Sequence, residues 1–181
     1  MVSVWCYAPN LVGYVRIILL LVFIALYDKE PLISVVCYTV SMAFDALDGF
    51  LARLLNQSTR FGAMLDMVTD RLSTICMLMV NSLQHTEMTK LFLFLLLLDI
   101  GSHWFLVCSN YVSGGDNHKD SPSMPGFVRA YYSKPVLFCT CALSEVWYVI
   151  YYVKGNFIMG PALTQAWTYL FYISTPVVTY K

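Results

Sequence analysis

Apolar segments of membrane-spanning length recur along this chain, and their length constrains the fold more than any other feature. A helix of about 20 apolar residues crosses the hydrocarbon of a bilayer. Composition agrees with this interpretation: 59% of the 181 residues are hydrophobic and 12% are charged, against about 25% charged residues in an ordinary soluble domain. The sequence therefore predicts an integral membrane protein built from helices, because a helix satisfies its own backbone groups in lipid.

Polar turns set the bounds of the predicted spans. We predict six transmembrane helices, at about residues 11–27, 32–55, 62–83, 90–111, 135–153 and 161–179. Asn10 would cap the first helix, and the fifth would start near Tyr131 or Pro135. The long polar stretch at residues 113–126 is rich in glycine, proline and charge, which is typical of a loop outside the hydrocarbon. The prediction is a single all-α membrane domain over residues 1–181.

The basic residues predict the orientation of these helices. Eight of the 11 lysines and arginines fall on the side that would carry both termini, the loop after the second helix and the long polar loop. They are Arg16, Arg53, Arg60, Arg71, Lys119, Arg129, Lys134 and Lys181. This excess predicts that their side faces the cytosol, with Arg16 as a solvated charge. The formal net charge of zero gives no reason to expect a nucleic-acid partner.

Four aspartates lie inside two of the predicted spans. Asp45 and Asp48 belong to the second helix, and Asp66 and Asp70 belong to the third. A charged residue at bilayer depth costs about 2.5–3.5 kcal/mol, so four of them require a cation, a water-filled cavity or both. The spacings i,i+3 and i,i+4 place each pair on one helix face. Two antiparallel helices joined by a short loop would bring all four carboxylates together just inside the cytosolic interface.

The chemistry of this cluster points to a hard divalent cation and a phosphate. Ligands that are all oxygen favour Mg²⁺ or Mn²⁺ over zinc or copper, and two such ions can clamp the attacking and leaving oxygens of a phosphoryl displacement. Gly49, Ala52 and Gly62 leave space beside the carboxylates for a nucleotide to approach the backbone. Arg53 lies one turn above Gly49 and can pair with a phosphate through two hydrogen bonds.

The aspartates and their neighbours form a recognisable pattern, Asp-x2-Asp-Gly-x2-Ala-Arg-x8-Gly-x3-Asp-x3-Asp, over residues 45–70. This pattern resembles the signature of the CDP-alcohol phosphatidyltransferase family, and every fixed position is matched. Further segments, at residues 9–17, 56–71, 102–104 and 131–138, resemble the eukaryotic phosphatidylinositol synthase branch of that family. The resemblance covers most of residues 9–153.

The resemblance implies both an architecture and a reaction. Six helices, usually in a homodimer, would surround a polar cavity that opens to the cytosolic leaflet of the endoplasmic reticulum or Golgi membrane. The implied reaction joins CDP-diacylglycerol to myo-inositol and releases phosphatidylinositol and CMP. Mg²⁺ or Mn²⁺ would be the cofactor, and membrane lipids would surround the protein.

The resemblance also implies roles for individual residues. Asp45, Asp48 and Asp66 would be metal ligands. Asp70 would be the base that takes the proton of the inositol hydroxyl, and it is also a candidate ligand. Contacts to the CDP-diacylglycerol head are expected from Gly49, Arg53 and Thr59, beside the small residues Ala52 and Gly62.

The acceptor pocket is less sharply defined by the sequence. Asp99 and His103 are i,i+4 on the fourth helix, and they either form a polar pair that stabilises helix packing or line the inositol pocket. Arg129 and Lys134 are either solvated charges or part of the cavity rim, where they would attract the anionic nucleotide.

Two alternatives remain open at this point. The first keeps the same chemistry with glycerol phosphate, serine, choline or ethanolamine as the acceptor alcohol. The second is a divalent-cation transporter, since intramembrane aspartates also line ion pathways. A transporter would give no purpose to the framework of Gly49, Arg53 and Gly62, and the phosphatidyltransferase is therefore favoured.

Overall fold

Helices account for all regular structure in the computed structural model, which describes residues 3–112 and 134–158 together with Gln165. Five α-helices are present in those ranges: α1 (Ala8–Leu26), α2 (Pro31–Leu54), α3 (Arg60–Gln84), α4 (Thr89–Val112) and α5 (Lys134–Asn156). Short 3₁₀ helices precede α1 at Val4–Cys6 and α4 at Thr86–Met88. The predicted all-α class is confirmed for these residues. The predicted loop at 113–126 lies outside them, as does all of the predicted sixth helix except Gln165.

Within the described residues, three stretches are long and apolar enough to cross a membrane: Ala8–Leu26, Pro31–Leu54 and Thr86–Phe105. Their outer surfaces are apolar as well, with Leu21 60% and Leu32 63% exposed. Large apolar side chains in such numbers on an outer surface are typical of contact with lipid. The membrane character predicted from composition is therefore supported, while the count of six spans stays a prediction.

The described chain divides into two compact units whose boundary falls between Val80 and Asn81 in α3. The prediction of one domain over the whole chain stays a prediction. In the first unit α1 packs against α2, and the Phe23 and Tyr38 rings lie 5.3 Å apart between centroids. The Ser34 hydroxyl donates a hydrogen bond to the Phe23 carbonyl at 3.0 Å.

The second unit contains the end of α3 together with α4 and α5. The Asn81 side chain on α3 donates to the Tyr148 carbonyl of α5 at 2.9 Å, and the His85 Nε2 atom lies 2.9 Å from the Tyr151 carbonyl. Phe92 of α4 stacks edge-on against Tyr151, with the ring centroids 5.4 Å apart. Polar side chains and aromatic rings thus join the three helices of this unit.

Helix α1 begins three residues before the predicted start. We expected Asn10 to cap this helix, and that prediction was wrong, because the helix starts at Ala8 and Asn10 lies within its first turn. The Ala8 backbone N–H instead donates to Gln57 Oε1 at 3.0 Å. Asn10 is buried and donates from its side chain to the Val4 carbonyl at 2.7 Å. The loop after α2 therefore supplies the cap of α1, across 49 residues of sequence.

The same loop ends α2 and starts α3 with standard capping geometry. Asn56 has a positive φ of 51°, and the N–H groups of Asn56 and Gln57 donate to the carbonyls of Arg53 and Ala52 at 3.4 and 2.9 Å. These are the two hydrogen bonds of a Schellman motif, which needs a left-handed residue just after the helix. At the other end, the Thr59 hydroxyl accepts from the Gly62 backbone N–H at 3.0 Å and caps α3.

The left-handed conformation of Asn56 leads to a stability prediction. We expect Asn56→Val to lower stability by roughly 1–2 kcal/mol, because a β-branched side chain clashes with the backbone at positive φ, whereas Asn56→Gly should be nearly neutral. Thermal unfolding of the detergent-purified protein should show Tm lowered by about 2–8 °C for the valine variant alone. Equal midpoints for the two variants would contradict this account of the loop.

Candidate active site and metal centre

Helices α2 and α3 bring the four aspartates together, as their spacing in the sequence predicts. One carboxylate oxygen from each of Asp45, Asp48 and Asp66 lies within 4.8 Å of the other two. Asp70 follows Asp66 by one helical turn and joins the group through a shared ion-pair partner. This arrangement gives an oxygen-only donor set on two adjacent helices.

The four carboxylates differ in burial. The Asp48 side chain is 9% exposed, whereas those of Asp45, Asp66 and Asp70 are 44%, 45% and 34% exposed. The cluster therefore has a buried side at Asp48 and an open side formed by the other three. An ion or a substrate hydroxyl can approach from the open side without displacing the backbone.

An arginine from α1 lies at the centre of the cluster. Arg16 is 2% exposed, and its Nη1 atom is 2.9 Å from Asp48 Oδ2 and 2.8 Å from Asp66 Oδ1. Its Nη2 atom is 2.9 Å from Asp45 Oδ1 and also pairs with Asp70. The expectation that Arg16 is a solvated cytosolic charge was therefore wrong. Packing of α1 against α2 buries this guanidinium, and burial is tolerable because all four neighbours carry the opposite charge.

A signal for Arg16 was present in the sequence. The residue lies inside the first predicted span, and an ionisable residue within a span is a candidate for function by default. Arg16 also lies near one end of that span, where the excess of basic residues on one side predicts a flanking charge instead. The carboxylates it contacts lie 29 to 54 residues away along the chain, and local sequence patterns do not report such distances.

A pocket opens beside the cluster within the first unit, and every residue that we expected to contact the CDP-diacylglycerol head lines it. From α1 come Pro9, Asn10 and Gly13; from α2 come Asp48, Gly49, Ala52 and Arg53; from the loop and α3 come Gln57, Ser58, Thr59, Gly62, Ala63, Leu65 and Asp66. The contribution of α1 and of Gln57 was not predicted. Two of the aspartates thus belong both to the cluster and to the pocket wall.

The two glycines of the pocket have different surroundings. A Cβ atom at Gly49 would have Arg53 Nη1 as its nearest neighbour, at 3.6 Å, so the space above this glycine is open to a ligand. A Cβ atom at Gly62 would lie 2.8 Å from Asn10 Oδ1 and 3.2 Å from Thr59 Oγ1. Gly62 is therefore required by the packing of α1 and the cap of α3, which is a second reason for a glycine beyond room for a nucleotide.

The residues expected at the acceptor pocket belong to the second unit or lie outside the described residues. Asp99 is buried and His103 is half-buried on α4, and the Ser102 hydroxyl donates to the Asp99 carbonyl at 3.1 Å. Lys134 is the first residue of α5, and Arg129 falls outside the residues that the structure describes. Their assignment to an inositol pocket stays a prediction.

The geometry of the carboxylates fits a small divalent cation. Mg²⁺ binds oxygen at about 2.0–2.1 Å in an octahedron, so two of its ligand oxygens are at most about 4.2 Å apart. At most one pair among three octahedral ligands can be opposite, and neighbouring ligands are about 3 Å apart. The oxygens of Asp45, Asp48 and Asp66, within 4.8 Å of one another, would therefore have to draw closer to share one ion. The absence of sulfur and imidazole from this set disfavours zinc and copper.

Comparison with known proteins gives a consistent set of matches. The family described as CDP-alcohol phosphatidyltransferase matches residues 6–173. The protein named CDP-diacylglycerol–inositol 3-phosphatidyltransferase 1 of Arabidopsis thaliana is 45% identical over 151 residues, which cover 82% of this chain and 66% of that protein. The proteins named CDP-diacylglycerol–inositol 3-phosphatidyltransferase of Rattus norvegicus and Homo sapiens are each 41% identical over 162 residues, covering 88% of this chain and 75% of each relative.

This chain therefore spans from just under two thirds to three quarters of the length of these relatives. No solved structure matches it.

The surroundings of the two glycines lead to a second prediction. Gly62→Ala should destabilise the protein by roughly 1–3 kcal/mol, because Asn10 is buried and hydrogen-bonded and cannot move away from the new methyl group. Gly49→Ala is the matched control, with space for its methyl group and a gain in helix propensity. Thermal unfolding without nucleotide should separate the two variants, and a Gly62→Ala midpoint equal to that of the unmodified protein would contradict the predicted clash.

Proposed function

This chain belongs to the CDP-alcohol phosphatidyltransferase family, and we propose that it transfers the phosphatidyl group of CDP-diacylglycerol to myo-inositol, giving phosphatidylinositol and CMP. Its main support is the cluster of four aspartates, two of which line a pocket together with Gly49 and Arg53. The acceptor follows from the relatives, since the matches at 41–45% identity all have inositol in their names.

In this proposal, Asp45, Asp48 and Asp66 hold one or two divalent cations, Mg²⁺ or Mn²⁺. When bound, the metal would stabilise the negative charge that develops on the phosphate oxygens during displacement. Support for these ligands comes from the oxygen-only donor set and from the closeness of its three oxygens, which lie within 4.8 Å of one another. The three residues also belong to two different helices, so a bound cation would brace α2 against α3.

Asp70 acts as the general base in this proposal. Its side chain is 34% exposed, so it can meet a hydroxyl that enters from the open side of the cluster. The hydroxyl oxygen of inositol forms a bond to the phosphorus that carries diacylglycerol, and the bond from that phosphorus to CMP breaks. The hydroxyl proton passes to the Asp70 carboxylate, and no covalent intermediate with the protein is needed.

The pocket beside the cluster holds the nucleotide in this proposal. The open space at Gly49 lets the pyrophosphate approach the α2 backbone, and the exposed guanidinium of Arg53 pairs with a phosphate. Thr59 contacts the CDP head as well as capping α3. Ala52 and Gly62 keep the wall between these groups free of bulky side chains.

We place the enzyme in the membrane of the endoplasmic reticulum or Golgi, as a homodimer of six-span subunits with the aspartates near the cytosolic face. The bias of basic residues in the sequence supports this orientation. At such a depth, the cluster can meet a water-soluble alcohol from the cytosol and a lipid-anchored nucleotide from the bilayer. We assign four further residues to the acceptor pocket, which would bind inositol: Asp99, His103, Arg129 and Lys134.

Incorporation of radiolabelled inositol into lipid by the purified protein tests the proposed reaction. We expect product only when CDP-diacylglycerol and Mg²⁺ or Mn²⁺ are both present, and one CMP released for each phosphatidylinositol formed. Glycerol phosphate, serine, choline and ethanolamine should give no product. Incorporation independent of CDP-diacylglycerol would overturn the assignment, and preference for another alcohol would move the protein to another branch of the family.

The role of Asp70 predicts a specific loss of activity. Asp70→Asn should lower kcat by about 10²–10⁴-fold, because an amide cannot accept the hydroxyl proton, while CDP-diacylglycerol binding remains. Asp28→Asn, in the exposed turn after α1, is the matched control and should keep full activity. Turnover and nucleotide binding, measured on the same preparations, check the prediction. Normal turnover by Asp70→Asn would exclude this residue as the base.

A further inference from the structure

The Arg16 guanidinium contacts the same three carboxylates that are suited to hold a metal, and it contacts Asp70 as well. An arginine keeps its proton under all ordinary conditions, so this side chain is a permanent positive charge. One positive charge among four negative charges leaves an excess of three negative charges. Arg16 therefore holds the cluster together, and the net negative charge that remains still attracts a further cation strongly.

We propose that Arg16 is an internal counter-cation that holds the four aspartates together before metal binds, and that its guanidinium withdraws from Asp45, Asp48 and Asp66 when a divalent cation binds them. This inference rests on metal binding at the cluster, which is part of the proposed function. Helix α1 then has a role that is separate from substrate contact, because Arg16 sets how readily the site accepts its metal.

The distances explain why the guanidinium and the metal compete. The nitrogen-to-oxygen distances are 2.8–2.9 Å to the three carboxylates, which is the length of a charge-assisted hydrogen bond. Metal–oxygen bonds of about 2.1 Å would draw the same oxygens closer together. The space among oxygens that lie within 4.8 Å of one another cannot hold a guanidinium group and a metal ion together, and two cations there would also repel each other.

The burial pattern gives an incoming metal ion a path to the carboxylates that Arg16 does not block. Arg16 reaches the carboxylates from the buried side with 2% exposure, while Asp45, Asp66 and Asp70 are 34–45% exposed on the other side. A metal ion can therefore reach the exposed oxygens from solvent, and the guanidinium gives up the space among the carboxylates as the ion enters it. The Arg16 Nε atom is buried and has no hydrogen-bond partner among the residues that the structure describes. The guanidinium is thus held by the aspartates through its two terminal nitrogens.

The test compares Arg16→Lys and Arg16→Met with the unmodified protein by titrating Mn²⁺ and measuring free Mn²⁺ by electron paramagnetic resonance, without substrates. We expect the Mn²⁺ dissociation constant of Arg16→Met to fall by about tenfold or more, because its competitor is gone. Arg16→Lys should also bind Mn²⁺ more tightly, since a single ammonium group cannot engage four carboxylates in the way the arginine does. Arg60→Lys, an exposed site at the start of α3, is the matched control and should leave the constant unchanged.

Thermal unfolding in EDTA supplies an independent readout. Without metal, both Arg16 variants should have a lower Tm than the unmodified protein. Addition of Mn²⁺ should raise the Tm of the variants by more than it raises the Tm of the unmodified protein. If Arg16→Met folds only with Mn²⁺ present, that result also supports the counter-cation, because metal then replaces the missing charge.

The outcomes separate the two proposals. An Mn²⁺ dissociation constant for Arg16→Lys equal to or weaker than that of the unmodified protein would overturn the counter-cation while leaving the metal site intact. A failure of every protein to bind Mn²⁺, both in this titration and in a repeat with CDP-diacylglycerol added, would overturn the metal site and with it the role of Arg16.

Discussion

The ion pairs between Arg16 and four aspartates are the interaction on which the first unit depends. Three helices contribute to it, and none could bury its charges alone, because an unpaired charge removed from water costs several kcal/mol. Packing α1 against α2 brings the guanidinium to Asp45 and Asp48, and the start of α3 adds the other two carboxylates. The packing of the three helices and the assembly of the cluster therefore depend on each other.

The loop after α2 shows how the binding pocket and the helix ends share residues. Asn56 ends α2, Thr59 starts α3, and Gln57 accepts the first hydrogen bond of α1. Gln57 and Thr59 also line the pocket. Residues in this loop therefore have a structural role whether or not they contact a substrate. The stability of any loop variant that loses activity should be measured as well.

The sequence predicted the helical class, the first five helices to within a few residues and the convergence of the aspartates, and the comparisons confirm the family that the motif indicated. These features could be predicted because they depend on helical spacing and on short connections. The misses at Arg16 and Gln57 have one cause: each depends on how α1 packs, and no local pattern in residues 8–26 encodes a partner that lies 29 to 54 residues away. The miss at Asn10 is local, because the helix already starts at Ala8 and the Asn10 side chain donates to the Val4 carbonyl six residues earlier.

The side chains of the cluster differ in solvent exposure, and this difference links the packing of α1 to the proposed chemistry. Arg16 and Asp48 are buried, while Asp45, Asp66 and Asp70 are one third to almost one half exposed. The positive charge of Arg16 on the buried side holds the carboxylates together and opposes entry of a metal ion, and both effects are strong because the field of a buried charge is screened less by water. The same arrangement lets carboxylates remain close together without metal and leaves their outer oxygens available. The proposed reaction, which would gather a metal, a lipid-linked nucleotide and an alcohol at one point, needs both properties, and in our proposal Arg16 supplies the first.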